Sequence, residues 1–144
     1  MLLGGLLVAL AAGCGGGGGP KPLDKADYVK QMQTIGHDLS SSLSGLSAST
    51  GSTAKAATAL AKVQTELRAA ADKIESITPP ADIATEHKQL ADAVREFADE
   101  LTAVITKIKG GDITALATLT SLKGVSDIAT ASNKIAAKGY KIGG

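Results

Sequence analysis

Two histidines, His37 and His87, are the side chains of this 144-residue chain suited to acid, base or ligand work near neutral pH. Neither has the neighbours that such work needs. The residue three before His87 is Ala84, and three before His37 is Thr34. The Glu-x-x-His pair that di-metal helical bundles repeat is therefore missing. No HExxH, CxxCH, P-loop or GxGxxG ahead of a helix occurs. The sole cysteine, Cys14, sits between Gly13 and Gly15, with no base beside it. No pair of groups takes nucleophile and base roles, so no enzyme, cofactor or metal is expected.

His87 remains the most interesting of these side chains, because it falls on an apolar stripe one turn into a helix. A fold that brings helix ends together there would gather Tyr28, Met32, Ile77, Pro79, Pro80, His87 and Tyr140. One reading is a structural polar cluster, with His87 bonded to a tyrosine hydroxyl or a loop carbonyl, as buried polar groups usually are. The other is a ligand site at which Met32 and His87 form a soft pair for copper or haem iron. His37, beside Gly36 and Asp38, is expected on a solvated face.

Hydrophobic periodicity defines the elements that must position these residues. Val29, Met32, Gly36, Leu39, Leu43 and Leu46 form a first stripe at spacings of three and four. Ala56, Leu60, Val63, Leu67, Ala70, Ile74 and Ile77 form a second. The third is Ile83, His87, Leu90, Val94, Phe97, Leu101, Val104 and Ile108. A fourth begins at Ile113, Leu116 and Leu119, is interrupted at Lys123-Gly124, and resumes at Val125, Ile128, Ser132 and Ile135. Breaks lie at residues 47–52, at Thr78-Pro79-Pro80 and at Gly110-Gly111, after which Asp112 can cap the fourth helix. Gly139 reads as a C-cap, and Tyr140 as a residue that folds back. Short connections make neighbouring helices antiparallel. The expected fold is all-α: an up-down-up-down four-helix bundle, its fourth helix broken near Gly124.

Composition narrows the function classes. One Phe, two Tyr and no Trp leave nothing for bases to stack on, and a net charge of +1 without a basic stripe excludes nucleic acid. Asp92, Glu96, Asp99 and Glu100 make an acidic patch expected on the solvated face of the third helix. Small stripe residues (Gly36, Ala70, Ala98) are where a ligand cavity would open if the domain bound one.

Residues 2–12 are almost wholly apolar and too short to span a bilayer, which takes about 20 such residues. They fit the apolar region of an export signal. The stretch Leu10-Ala11-Ala12-Gly13-Cys14-Gly15 resembles the lipobox of bacterial lipoproteins. That resemblance implies cleavage between Gly13 and Cys14, and a diacylglyceryl thioether on the Cys14 sulfur. The usual basic opening residues are absent, which a start codon upstream of Met1 would explain. Residues 1–13 are then a signal peptide and 14–22 a lipidated Gly/Pro tether. Residues 23–144 are the helical domain, and the mature chain has 144 − 13 = 131 residues.

The domain also resembles small exported lipoproteins of actinobacterial type. The matching pieces are Ile74-Glu75-Ser76-Ile77-Thr78-Pro79-Pro80, then His87-Lys88-Gln89-Leu90, then Lys138-Gly139-Tyr140. The resemblance implies an exported, membrane-anchored protein and carries over no catalytic residue. The expected function is a non-enzymatic helical interaction module on the extracytoplasmic face of the cell membrane. It would be held by lipid on Cys14 and meet an envelope protein or a cell-wall polymer. The alternative is an extracytoplasmic binder of a small apolar ligand, haem or metal at the His87 end. If the tether ends at Pro22, that end faces the lipid.

Overall fold

The structure, a computed structural model, describes residues 21–44 and 52–143. The expected signal segment, Gly13, Cys14 and most of the expected tether lie outside the described residues, as does Leu46. Among the described residues the fold is all-helical. Its four α-helices are α1 (Lys25–Ser44), α2 (Thr53–Ser76), α3 (Ala84–Lys109) and α4 (Lys123–Ala137). A 3-10 turn, Ala81–Ile83, leads into α3, and a 3-10 segment, Ile113–Ser121, lies between α3 and α4.

The helix ends have local causes. Asp24 accepts the Asp27 N–H at 2.9 Å, and Ser52 accepts the Lys55 N–H at 3.3 Å, so each satisfies an orphan donor of a first turn. Ile77 turns extended (φ −79°, ψ 130°) ahead of the two prolines and stops α2. After α3, Gly111 takes a left-handed φ of +98°. Asp112 then accepts the Thr114 N–H at 3.1 Å. It is a cap, as expected, but of the 3-10 segment rather than of an α-helix.

Burial follows the stripes closely in α2, where all seven expected residues are in the core. It also follows them in α3, except that Phe97 is only half-buried. α3 buries more than its stripe, since Ala91, Ala93 and Ala98 are enclosed too. It is the shared wall of the fold, packed against α2, α4 and both 3-10 pieces.

Two stripes are rotated from their expected setting. In α1 the buried residues are Tyr28, Met32 and Ile35, while Gly36 is exposed and nothing lies where a side chain on it would reach. In α4 they are Gly124, Ala131 and Ile135, with Val125 and Ser132 only half-buried. The fourth helical stretch does break, at Leu122 (φ −66°, ψ 141°), two residues before Gly124. Gly124 itself lies in the first turn of α4 with its Cα against the backbone of Phe97. It permits contact between two helices and is not a hinge.

Polar pairs order the helices. Gln64 donates to the Thr102 hydroxyl at 2.8 Å, Arg68 pairs with Asp99 at 2.9 Å, and Arg95 spans Asp72 (3.0 Å) and Glu75 (2.8 Å). Positions that rise along α2 therefore meet positions that fall along α3. Lys123 meets Glu96 and Lys134 meets Gln89, the same order between α3 and α4. These pairs are exposed, and such ion pairs contribute about 0–1 kcal/mol each.

Glu100 has a more specific task. Leu122, at the head of α4, has no capping side chain. The Glu100 carboxylate crosses from α3 and accepts the N–H groups of Lys123 (3.1 Å) and Gly124 (2.9 Å). A carboxylate on two orphan donors at a helix start does the work of an N-cap supplied from another helix. Glu100→Ala should therefore lower the unfolding free energy by about 1 kcal/mol in urea titrations. Asp92→Ala, which removes a surface pair with Lys88 only, should cost less.

Candidate functional site

The structure brings Tyr28, His87 and Tyr140 together. Tyr28 comes from the first turn of α1 and His87 from the first turn of α3. Tyr140 follows the C-terminus of α4, where Gly139 (φ +85°) ends the helix and lets the chain turn back. The Tyr140 N–H returns to the Ile135 carbonyl at 3.3 Å, and its ring comes to lie 5% exposed. Tyr28 meets both partners edge-on, with ring centroids 5.5 Å from His87 and 5.6 Å from Tyr140. Met32 is buried one turn further along α1.

The hydrogen bonds fix the state of the imidazole. His87 Nε2 lies 2.9 Å from the Ile74 carbonyl oxygen, which can only accept, so Nε2 carries the proton. Nδ1 is then an acceptor, and the Tyr28 hydroxyl donates to it at 3.0 Å. Ile74 lies in the last turn of α2, and its carbonyl also accepts the Ile77 N–H at 3.0 Å, so His87 adds a second bond to a helix C-terminus. Burial pushes the His87 pKa down from its usual value, and the Ile74 and Ile77 carbonyls only partly offset this. Burial, aided by Tyr140, pushes the Tyr28 hydroxyl up to about 12, so it stays a donor well beyond neutral pH.

A second layer closes the cluster, and its polar members were not apparent in the sequence. The Tyr140 hydroxyl donates to Asp82 Oδ1 at 2.8 Å across 58 positions of chain. Asp82 lies in the 3-10 turn that leads into α3, where an acid at a helix start has a sufficient local reason. Lys138 pairs with Glu86 at 2.8 Å and also donates to the Asp82 carbonyl. That lysine holds the Glu86 carboxyl below its usual range. The other carboxylate oxygen, Glu86 Oε2, is buried without a hydrogen-bond partner among the described residues. Lys25 reaches over the Tyr140 ring, 4.8 Å from its centroid. Pro79 and Pro80 are half-buried nearby in the chain, and the Leu23 N–H joins the Thr78 carbonyl at 3.0 Å.

This arrangement leaves His87 no free nitrogen. It is 5% exposed, and Tyr28 is fully enclosed. A metal or haem iron would have to displace either Tyr28 or a helix-end carbonyl from the imidazole. The geometry supports the structural reading of the cluster over the ligand reading.

The remaining expected sites disperse. His37 is exposed, as its position next to the stripe suggested. Asp92, Glu96, Asp99 and Glu100 do not converge: their partners are Lys88, Lys123, Arg68 and the head of α4. Among the described residues no three His, Cys, Asp or Glu side chains gather as a metal site would require. Ala98 is enclosed by the core, Ala70 borders a cleft of about 20 Å³ between α1 and α2, too small for a ligand, and Gly36 faces outward. No protein-family model, no curated protein and no solved structure matches this chain.

Proposed function

We propose that this protein is a lipoprotein of the extracytoplasmic face of the cell membrane, anchored by lipid on Cys14. Its helical domain acts as a non-enzymatic module that meets an envelope protein or a cell-wall polymer. The helices form an up-down-up-down bundle, a layout supported by the order of polar pairs between α2 and α3 and between α3 and α4.

The observation that carries the non-enzymatic reading is the occupation of both His87 nitrogens by Tyr28 and the Ile74 carbonyl. The one titratable group suited to neutral-pH chemistry at that end is engaged in tying three chain segments together. The address rests on the sequence around Cys14. Among the described residues no helix is long and apolar enough to cross a membrane, so attachment falls to the acyl chains. Two acyl chains hold a protein stably where one does not.

Cells expressing the native chain should yield a membrane-associated form whose N-terminal cysteine carries a diacylglyceryl mass. Cys14→Ala should lose both the mass and the membrane association. Recovery of the native chain as an unmodified soluble protein would refute the anchor. Partners captured from the envelope by the native form and lost with Cys14→Ala would identify what the module meets.

A further inference from the structure

Four lysines surround the place where the tether enters the domain. Lys21 precedes α1, Lys25 and Lys30 lie on it, and Lys141 follows Tyr140 on the returning C-terminal strand of chain. All four are exposed. Among the described residues none of them forms an ion pair; Lys55, Lys62, Lys107, Lys109 and Lys134 share that property, and what sets these four apart is that they gather at one place.

Three of the four line one groove. It has a volume of about 500 Å³, an apolar floor that includes Ala26, Val29 and Gly139, and Lys25, Lys30 and Lys141 as its only charges. Other grooves among the described residues are balanced or acidic. The one between α1 and α2 sets Asp27 and Asp38 against Lys30 and Lys73. The one between α3 and α4 sets Asp92, Glu96 and Asp127 against Lys134. The basic groove is held in shape by Gln33, whose amide donates to the Lys141 carbonyl at 2.9 Å, and by the buried Ile142.

We propose that this lysine face docks on an anionic phospholipid surface, that of the membrane to which Cys14 is tethered. The inference deepens the anchor reading and rests on it. Cys14 and Lys21 are seven residues apart, so the chain between them spans at most about 25 Å. The lysine face is the part of the domain nearest the tether. Exposed ammonium groups that form no ion pair among the described residues, around an apolar floor, suit lipid headgroups over acyl chains. A pocket for a single small anion would instead use converging backbone donors, and here Asp24 occupies the first turn of α1. Acyl chains and a basic patch are two additive membrane signals. Each lysine held near an anionic surface strengthens binding about fivefold.

The test uses the full chain carrying Cys14→Ser, with phosphatidylcholine vesicles prepared with and without phosphatidylglycerol. The apolar residues 1–13 contribute equally to both vesicle types, so the difference reads the charge term. Partition should favour phosphatidylglycerol vesicles, fade with added salt, and fall by about 100-fold in K25Q/K30Q/K141Q. The distal variant K55Q/K62Q/K109Q should keep most of the preference. Thermal melts check that both variants remain folded. Equal partition onto the two vesicle types overturns the proposal, as does equal loss in the distal variant. Displacement by inorganic phosphate beyond that by chloride at matched ionic strength also overturns it, in favour of a small-anion site. The cellular Cys14 lipid mass is read separately, so failure of the anchor and failure of the docking face are distinguishable.

Discussion

Alanine in place of Gly124 should destabilise this protein by about 2 kcal/mol, and valine by about 3 kcal/mol or more. The direction opposes local propensity, since alanine in a helix is favoured over glycine by about 1 kcal/mol. The reason is steric. A Cβ on Gly124 would lie 2.5 Å from the backbone N and Cα of Phe97 and 2.6 Å from its Cβ. Backbone atoms of a central helix cannot rotate away, so α4 must lift from α3. Lifting α4 stretches the two bonds from Glu100 to its first turn and loosens Ala131 and Ile135 in the core. Gly36→Ala is the matched control, because that glycine is exposed in α1 with open space around it. It should stabilise by about 0.5–1 kcal/mol. Urea denaturation followed by far-ultraviolet circular dichroism reads both. A neutral or stabilising Gly124→Ala would mean that α4 does not approach α3 this closely.

The same contact shows where periodicity stops being informative. α2 was legible throughout, because its large apolar residues, Leu60, Val63, Leu67 and Ile74, all fall on one face. α4 offered two stripes one residue apart, and large side chains suggested Val125 and Ile128 over Gly124 and Ala131. The structure favours the small residues, since close approach of two backbones is itself what they allow. In α1 the rival stripes share Met32 and Leu39 and differ in taking Tyr28 and Ile35 or Val29 and Gly36. Choosing between them requires knowing that the Tyr28 hydroxyl finds a partner 59 positions away. The 3-10 segment Ile113–Ser121 had no distinguishing signal, because threonine and alanine at that spacing suit an α-helix equally well.

The cluster was legible in part. Helix ends, prolines and the C-terminal glycine were enough to place Tyr28, His87 and Tyr140 at one end. Which groups they bond was not readable, because the partners are a backbone carbonyl at Ile74 and a carboxylate at Asp82. A carbonyl has no sequence signature, and an acid near a helix start has a sufficient local explanation. Asp92, Glu96 and Asp99 lie on the solvated side of α3, as expected, but their separate partners were unreadable for a related reason. Asp99, Glu96 and Glu100 share a stretch of α3 but serve two different neighbouring helices, which spacing along one helix does not reveal.

Stability should fall as pH drops below the ordinary histidine value of about 6.5, and His87 should account for the slope. Burial holds His87 neutral in the folded chain, with its pKa below that of the unfolded chain. Below the ordinary value the unfolded state binds a proton that the folded state does not, so stability declines with falling pH. The contribution is fully present above that range and disappears as pH falls to the folded pKa. Protonation also turns Nδ1 into a donor facing the Tyr28 hydroxyl, which breaks the bond as it is now arranged. The Glu86–Lys138 pair fails in a separate, more acidic window, because its carboxyl sits below the usual carboxylate range. His87→Ala should cost about 3 kcal/mol at neutral pH, from a cavity and the orphaned Tyr28 hydroxyl. It should also flatten the dependence between about pH 7 and about pH 5. Tyr28→Phe should cost about 1–2 kcal/mol by orphaning Nδ1 alone. The two losses should not add in the double variant, since they share one bond. Thermal melts across that range read all three variants. A native melting temperature that stays flat down to about pH 5 would show that His87 is not held neutral by the fold.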